Sequence, residues 1–196
     1  MKPMLLLRRS TVSALSVAAL LTGTFVPPSS AAERAQREMQ IHKVAELGLE
    51  IWVENQPPWE AELMKASTLQ SFVVQSPADY YPPAVMTYIS LPGSVVDNAN
   101  MLGVATTAIR RASENYRVPG TQRVVLKPQP AQHGPFTGDE ASFDGWANGE
   151  AVEVRVFVGH VPGRFPVAMQ AYTQKGKLAQ LSQPIRRAWG NLKYLH

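Results

Sequence analysis

Cysteine is absent from all 196 residues. That excludes disulfides, thiolate nucleophiles and Cys-ligated metal sites, and with them a lipid anchor on an N-terminal cysteine. Long apolar runs are almost absent as well. One exists, STVSALSVAALLTGTFV, between the basic MKPMLLLRR and the small-residue stretch PPSSAAE. It is short for a membrane span and is followed by prolines. Basic start, apolar middle and a Ser30-x-Ala32 cleavage pattern together read as a secretory signal peptide, residues 1–32. Arg8-Arg9 leaves general secretion and twin-arginine export both open. No later segment is long and apolar enough to span a bilayer after cleavage.

A strong excess of one charge is missing too. Lys2, Arg8 and Arg9 lie in the signal segment and no acidic residue does, so 19 basic against 15 acidic residues becomes 16 against 15. A net charge near +1 lacks the basic footprint that phosphate backbones require, which argues against nucleic acid as a partner. The remaining 164 of the 196 residues are enough for one domain with a sizeable core. The division expected is a signal peptide at 1–32, an exposed and helix-compatible arm at 33–46, and a single domain at 47–196.

Motifs that carry chemistry are also missing. There is no G-x-S-x-G elbow, no phosphate-binding glycine loop and no EF-hand, although Asp139, Glu140 and Asp144 lie close in sequence. His42, His133, His160 and His196 have no metal-ligand spacing. No carboxylate pair stands out for glycoside hydrolysis. The sequence therefore offers no catalytic residue, metal ligand or cofactor site.

What is present is strand and helix periodicity. LGLEIWVEN (47–55) alternates Leu47, Leu49, Ile51 and Val53 with a second set, the period of a half-buried strand. WEAELM, SFVVQ and AVMTYISL (84–91) read as further strands. Ser94 and Asp97 form a capping-box pattern ahead of a helix over 95–116. Its expected apolar stripe is Val95, Ala99, Leu102, Ala105, Ile109, Ala112 and Tyr116. Gly103 inside that helix suggests close packing against a sheet. TQRVVLKPQ (121–129) reads as a strand entering an irregular loop, 128–138.

FDGWANGEAVEVRVFVG (143–159) crowds Asp, Trp, Glu and Arg together and could pass for a site. Asn148-Gly149 is the pair that best fits a type I′ turn. The flanking arms alternate, with Val152, Val154, Val156 and Val158 on one face and Glu153, Arg155 and Phe157 on the other. Asp144 and Trp146 likewise share a face. The stretch therefore reads as a hairpin with cross-strand pairs rather than chemistry. RFPVAMQAYT (164–173) is another strand. A helix follows from about Ser182, with Pro184 in its first turn and Ile185 and Trp189 on one face, and LKYL closes as a short strand.

The fold expected is α+β: a bent antiparallel sheet of about six or seven strands with one long and one short helix packed on it. The central helix, the long hairpin FTGDEASFDGWANGEAVEVRVFVGH with its following strand, and the closing IRRAWGNLKYL resemble the Mog1/PsbP-like fold. Within it they resemble the bacterial DcrB-type exported proteins, over roughly 47–195. The resemblance implies a small binding or assembly module, with partners ranging from photosystem subunits to a small GTPase to secreted effectors. It supplies no active-site motif to carry over.

Candidate contacts sit in two proline-rich segments, 77–83 and 128–138, with Tyr80, Tyr81, His133 and Phe136 as anchors. Each aromatic could equally close an end of the core. The function read from the sequence is an exported, periplasmic, non-enzymatic binding or assembly module. Its partner would be another protein or a small envelope ligand, with oligomeric state left open. A periplasmic immunity-type protein blocking a toxin, and a hydrolase whose site assembles from distant residues, stand as alternatives. Export has a direct test: N-terminal sequencing of the periplasmic form should read from Glu33, whereas an intact Met1 in the membrane fraction would refute cleavage.

Overall fold

The computed structural model describes residues 38–66, 69–91, 98–117, 120–121 and 125–195. The signal segment and the Ser94–Asp97 capping pattern lie outside them. Alternation in the sequence becomes two sheets. Strands β3 (Glu60–Ala66), β4 (Leu69–Gln75), β5 (Ala84–Ser90), β6 (Gln129–His133), β7 (Phe136–Ala147), β8 (Glu150–His160) and β9 (Val167–Gln174) form an antiparallel sheet ordered β3-β4-β5-β9-β8-β7-β6. Strands β1 (Met39–Val44), β2 (Leu49–Glu54) and β10 (Lys193–Tyr194) form a second sheet ordered β1-β2-β10. Helices α1 (Asn98–Asn115) and α2 (Ser182–Gly190) complete the fold. The architecture is α+β, as expected.

The large sheet is buried on both faces at its centre. On β8, Val152, Val154, Val156 and Val158 pack with Met101, Ala105, Ile109 and Ala112 of α1. Phe157 points the other way, into a core with Met169 of β9, Tyr88 of β5, Leu49 and Ile51 of β2, and Trp189 of α2. The order of layers is therefore α1, the seven-stranded sheet, then the small sheet with α2. Fully burying each large apolar side chain is worth about 1.5–3 kcal/mol, which makes these two clusters the main cohesion of the fold. Hydrogen bonds tie the layers at their margins. Ser90 Oγ donates to the Leu47 carbonyl at 2.5 Å, and the Leu195 N–H donates to the Gly48 carbonyl at 2.9 Å.

The hairpin forms as read. Asn148 has φ 51° and Gly149 φ 86°, and the strands pair from Ala147–Glu150 to Thr137–His160. Two of its carboxylates near the turn are engaged in structure. Asp144 Oδ2 lies 2.8 Å from Lys175 Nζ, and Glu153 Oε2 accepts the Leu178 N–H at 3.1 Å. Gly145 serves another purpose: a Cβ there would lie 2.7 Å from Tyr116 Cβ. That close approach lets the Trp146 N–H donate to the Tyr116 carbonyl at 2.7 Å, which fixes the end of α1 onto β7.

Five expectations change. Residues 39–44, read as part of an exposed helix-compatible arm, form β1, which pairs along all of β2 with Met39 and Val44 buried. Two buried residues at the ends of a polar stretch left no periodic signal. Residues 125–128 are not a strand, and the supposed loop 128–138 is mostly the hairpin β6–β7. Pro130 is tolerated because β6 is the edge strand. In α1 the sheet contact is Met101, whereas Leu102 is 55% exposed. Both lie one turn from Ala105, so periodicity could not choose between them. Gly103 does not pack against a sheet, since a Cβ there would meet nothing within 4 Å.

Gly149→Val should destabilise the fold by roughly 1–3 kcal/mol, because a β-branched residue is strained at positive φ. There is open space around the position, so backbone strain alone is at stake. Urea unfolding checks this, and an unchanged midpoint would contradict it.

Candidate binding groove

The four aromatic candidates do not converge. Tyr80 is half-buried, its ring 5.1 Å from Trp59 and nearly perpendicular to it. The pair borders a small polar hollow of about 270 Å³ with Glu54, Gln183 and Arg187. Burial pushes the Glu54 carboxyl up, while Arg187 at 3.4 Å opposes the shift. Tyr81 is 65% exposed, with Lys177 Nζ 5.6 Å from its ring centroid. His133 lies elsewhere, with its ring 4.6 Å from Phe157 and 5.0 Å from Trp189. Its Nε2 is 3.1 Å from Glu140 Oε2, and that hydrogen bond holds the Glu140 carboxyl below its usual range. Phe136 is fully buried, against Tyr194. Its place in the core removes it as a surface anchor: the proline-rich segment folded into a hairpin and turned the ring inward.

The feature the sequence did not announce is an open groove. Among the described residues, helix α1 packs mainly on β7 and β8, and the face of β9 and β5 beyond it is only partly covered. The pairing register shows what lies there. Val156 of β8 opposes Gln170, Gln170 opposes Thr87, Thr87 opposes Val73, and Val73 opposes Glu62. In the next row Val158 opposes Ala168, which opposes Ile89. Burial falls along each row, from fully buried valines beneath α1 to half-buried Thr87 and Ile89 beyond its edge. Further out on the same face, Leu69 is 45% and Met64 52% exposed.

Between the helix edge and this face runs a groove of about 580 Å³. That volume lies in the range of small-molecule sites. One wall is a stripe of α1 from Gly103 to Asn115, about 18 Å long at 1.5 Å per residue. Residues with little bulk, Gly103, Thr107 and Ala108, keep it open. The two ends differ. Leu91, Val104 and Pro166 line one end, where the Leu91 N–H donates to the Pro166 carbonyl at 2.9 Å. Arg111, Asn115 and Gln170 line the other, where Tyr116 Oη approaches Gln170 Oε1 at 3.5 Å. Of the lining residues Arg111 alone is charged, so the groove supplies shape, apolar contact and hydrogen bonds rather than an acid–base pair. Among the described residues no three His, Asp or Glu gather as a metal centre, and no helix is long and apolar enough to cross a membrane.

Placement of the aromatics has a measurable consequence. Phe136→Ala should cost about 3–5 kcal/mol, the usual penalty for emptying a fully buried aromatic position. Tyr81→Ala, at an exposed position, should stay within about 0.5 kcal/mol. Denaturant unfolding of both variants checks the contrast, and equal losses would contradict it.

No protein-family model and no curated protein matches the chain. Among solved structures, a protein from Bacteroides thetaiotaomicron VPI-5482 is similar with a TM-score of 0.50 at 9% identity, covering 76% of this chain and 45% of that one. The chain thus spans less than half the length of that structure. LpqN of Mycobacterium tuberculosis, described as involved in cell envelope biogenesis, aligns with a TM-score of 0.46 at 16% identity, over 87% of this chain and 100% of that one. At 9% identity the first likeness speaks for the α+β architecture alone.

Proposed function

We propose that the chain is an exported, non-enzymatic, single-domain binding module of the cell envelope whose ligand seats in the groove between α1 and the partly covered half of the large sheet. The observation that carries this reading is the groove itself. It holds about 580 Å³, is mostly apolar, and has a few polar groups at one end. That is the usual make-up of a small-molecule site. The export pattern of residues 1–32 supports an envelope location. The lining offers the hydrolase alternative no general base. A partner protein gripped at Tyr81 is the second reading, favoured by that ring's 65% exposure. The immunity-type alternative would draw on the same ring and on Met64 and Leu69.

Gly103 allows a clean test. It lines the groove, and a Cβ there meets nothing within 4 Å, so a larger side chain occupies ligand space without disturbing the core. Replacing a helical glycine also favours the helix by a few tenths to about 1 kcal/mol. The neutral apolar probe N-phenylnaphthylamine should bind the wild-type chain saturably at one site. Gly103→Trp should abolish that binding while the melting temperature holds or rises, with Gly103→Leu giving an intermediate loss. Undiminished probe binding in a folded Gly103→Trp variant would refute the groove as the site.

A further inference from the structure

We infer that the groove takes a single-chain amphiphile with an anionic head, its chain along Leu91, Val104 and Ile89 and its head at Arg111. The inference rests on the reading of the groove as the binding site and names the ligand class for it. The first support is polarity along the groove's length. Apolar side chains line the Leu91 end, and donors converge at the Arg111 end, near the C-terminus of α1. A ligand that matches both ends must itself be apolar at one end and polar at the other.

The second support is the charge at the polar end. Arg111 lines the groove and has no ion-pair partner among the described residues. A guanidinium carries five donors and no acceptor. Its planar fork matches the paired oxygens of a carboxylate or phosphate. The carbonyls ending α1 act against an anion there, with about half a negative charge. The full charge of Arg111 outweighs it: Glu114 is balanced by Arg117 at 3.4 Å, and Arg110 and Glu114 line the other flank of the helix with Val125 and Leu126. The head position is therefore net positive.

The third support is length. The helix wall of about 18 Å suits one extended chain of dodecyl size rather than a globular ligand. A carboxylate and a phosphate head share the chemistry that Arg111 would recognise, so both belong to the class.

The experiment is displacement of bound N-phenylnaphthylamine from the wild-type chain and from Arg111→Met. The competitors are dodecanoate, dodecyl phosphate and dodecanol, each below its critical micelle concentration. In the wild type at least one anionic amphiphile should displace the probe at a concentration roughly tenfold or more below that of dodecanol, the scale of a charge-assisted hydrogen bond. Arg111→Met should erase that preference, read as the ratio of the anionic amphiphile's displacing concentration to dodecanol's in the same variant, and Arg111→Lys should restore part of it. Preference for dodecanoate alone would assign a fatty-acid head, and preference for dodecyl phosphate alone a phosphorylated one. Equal displacement by all three, a preference that survives Arg111→Met, or no displacement by any of them would overturn the inference. Each of those results leaves the groove reading intact if Gly103→Trp still abolishes probe binding. If Gly103→Trp binds the probe normally, the groove reading itself has failed.

Discussion

The two-sided burial of β8 and β9 is the constraint on which the rest of the structure depends. Val152, Val154, Val156 and Val158 need a cover on one face, and Phe157, Val167 and Met169 need one on the other. A single sheet with one helix could satisfy only one of these faces. The chain meets the demand with α1 on one side and with α2 and the small sheet on the other. Strand β10 then closes onto β2 and brings the C-terminal segment into the same core.

The covers are unequal, and that inequality produces the groove. The small sheet and α2 bring their buried side chains to strands as far apart as β4, β5 and β9. Helix α1 is a single element about 10 Å wide, while neighbouring strands lie nearly 5 Å apart. It can roof about two strands and does so over β7 and β8. The face of β9 and β5 beyond it is half-covered, and a stripe of small residues on the helix keeps the gap from closing. A groove follows from this geometry, because a helix narrower than its sheet leaves an apolar shelf beside it, and that shelf is the binding site we propose.

Much of this was legible in the sequence, for identifiable reasons. Asn148-Gly149 states its own backbone conformation, and strict alternation over Val152–Val158 states a strand with a buried face. Ile185 and Trp189 mark the inner side of α2 by their spacing. The failures are equally physical. Strand β1 carries little periodicity because its buried residues are only Met39 and Val44, at its ends. Prolines in 128–138 signal a loop, yet an edge strand tolerates Pro130, so β6 was hidden and Phe136 was left open between a surface anchor and a cap on the core. Gly103 lines the groove, but in the sequence it stood for close packing against a sheet. A glycine inside a helix signals either close approach or open space, and sequence alone does not distinguish them. Arg111 had no signal, because its role depends on where β9 and β5 lie.

The central claim is that a ligand sits between α1 and the partly covered sheet face. Isotope-filtered nuclear Overhauser spectroscopy of the mature chain with bound N-phenylnaphthylamine tests it most directly. The account predicts contacts from the probe to the methyl groups of Ile89, Val104 and Ala168. Contacts confined to Tyr81 and the hollow beside Trp59, with none to those three methyl-bearing residues, would contradict it.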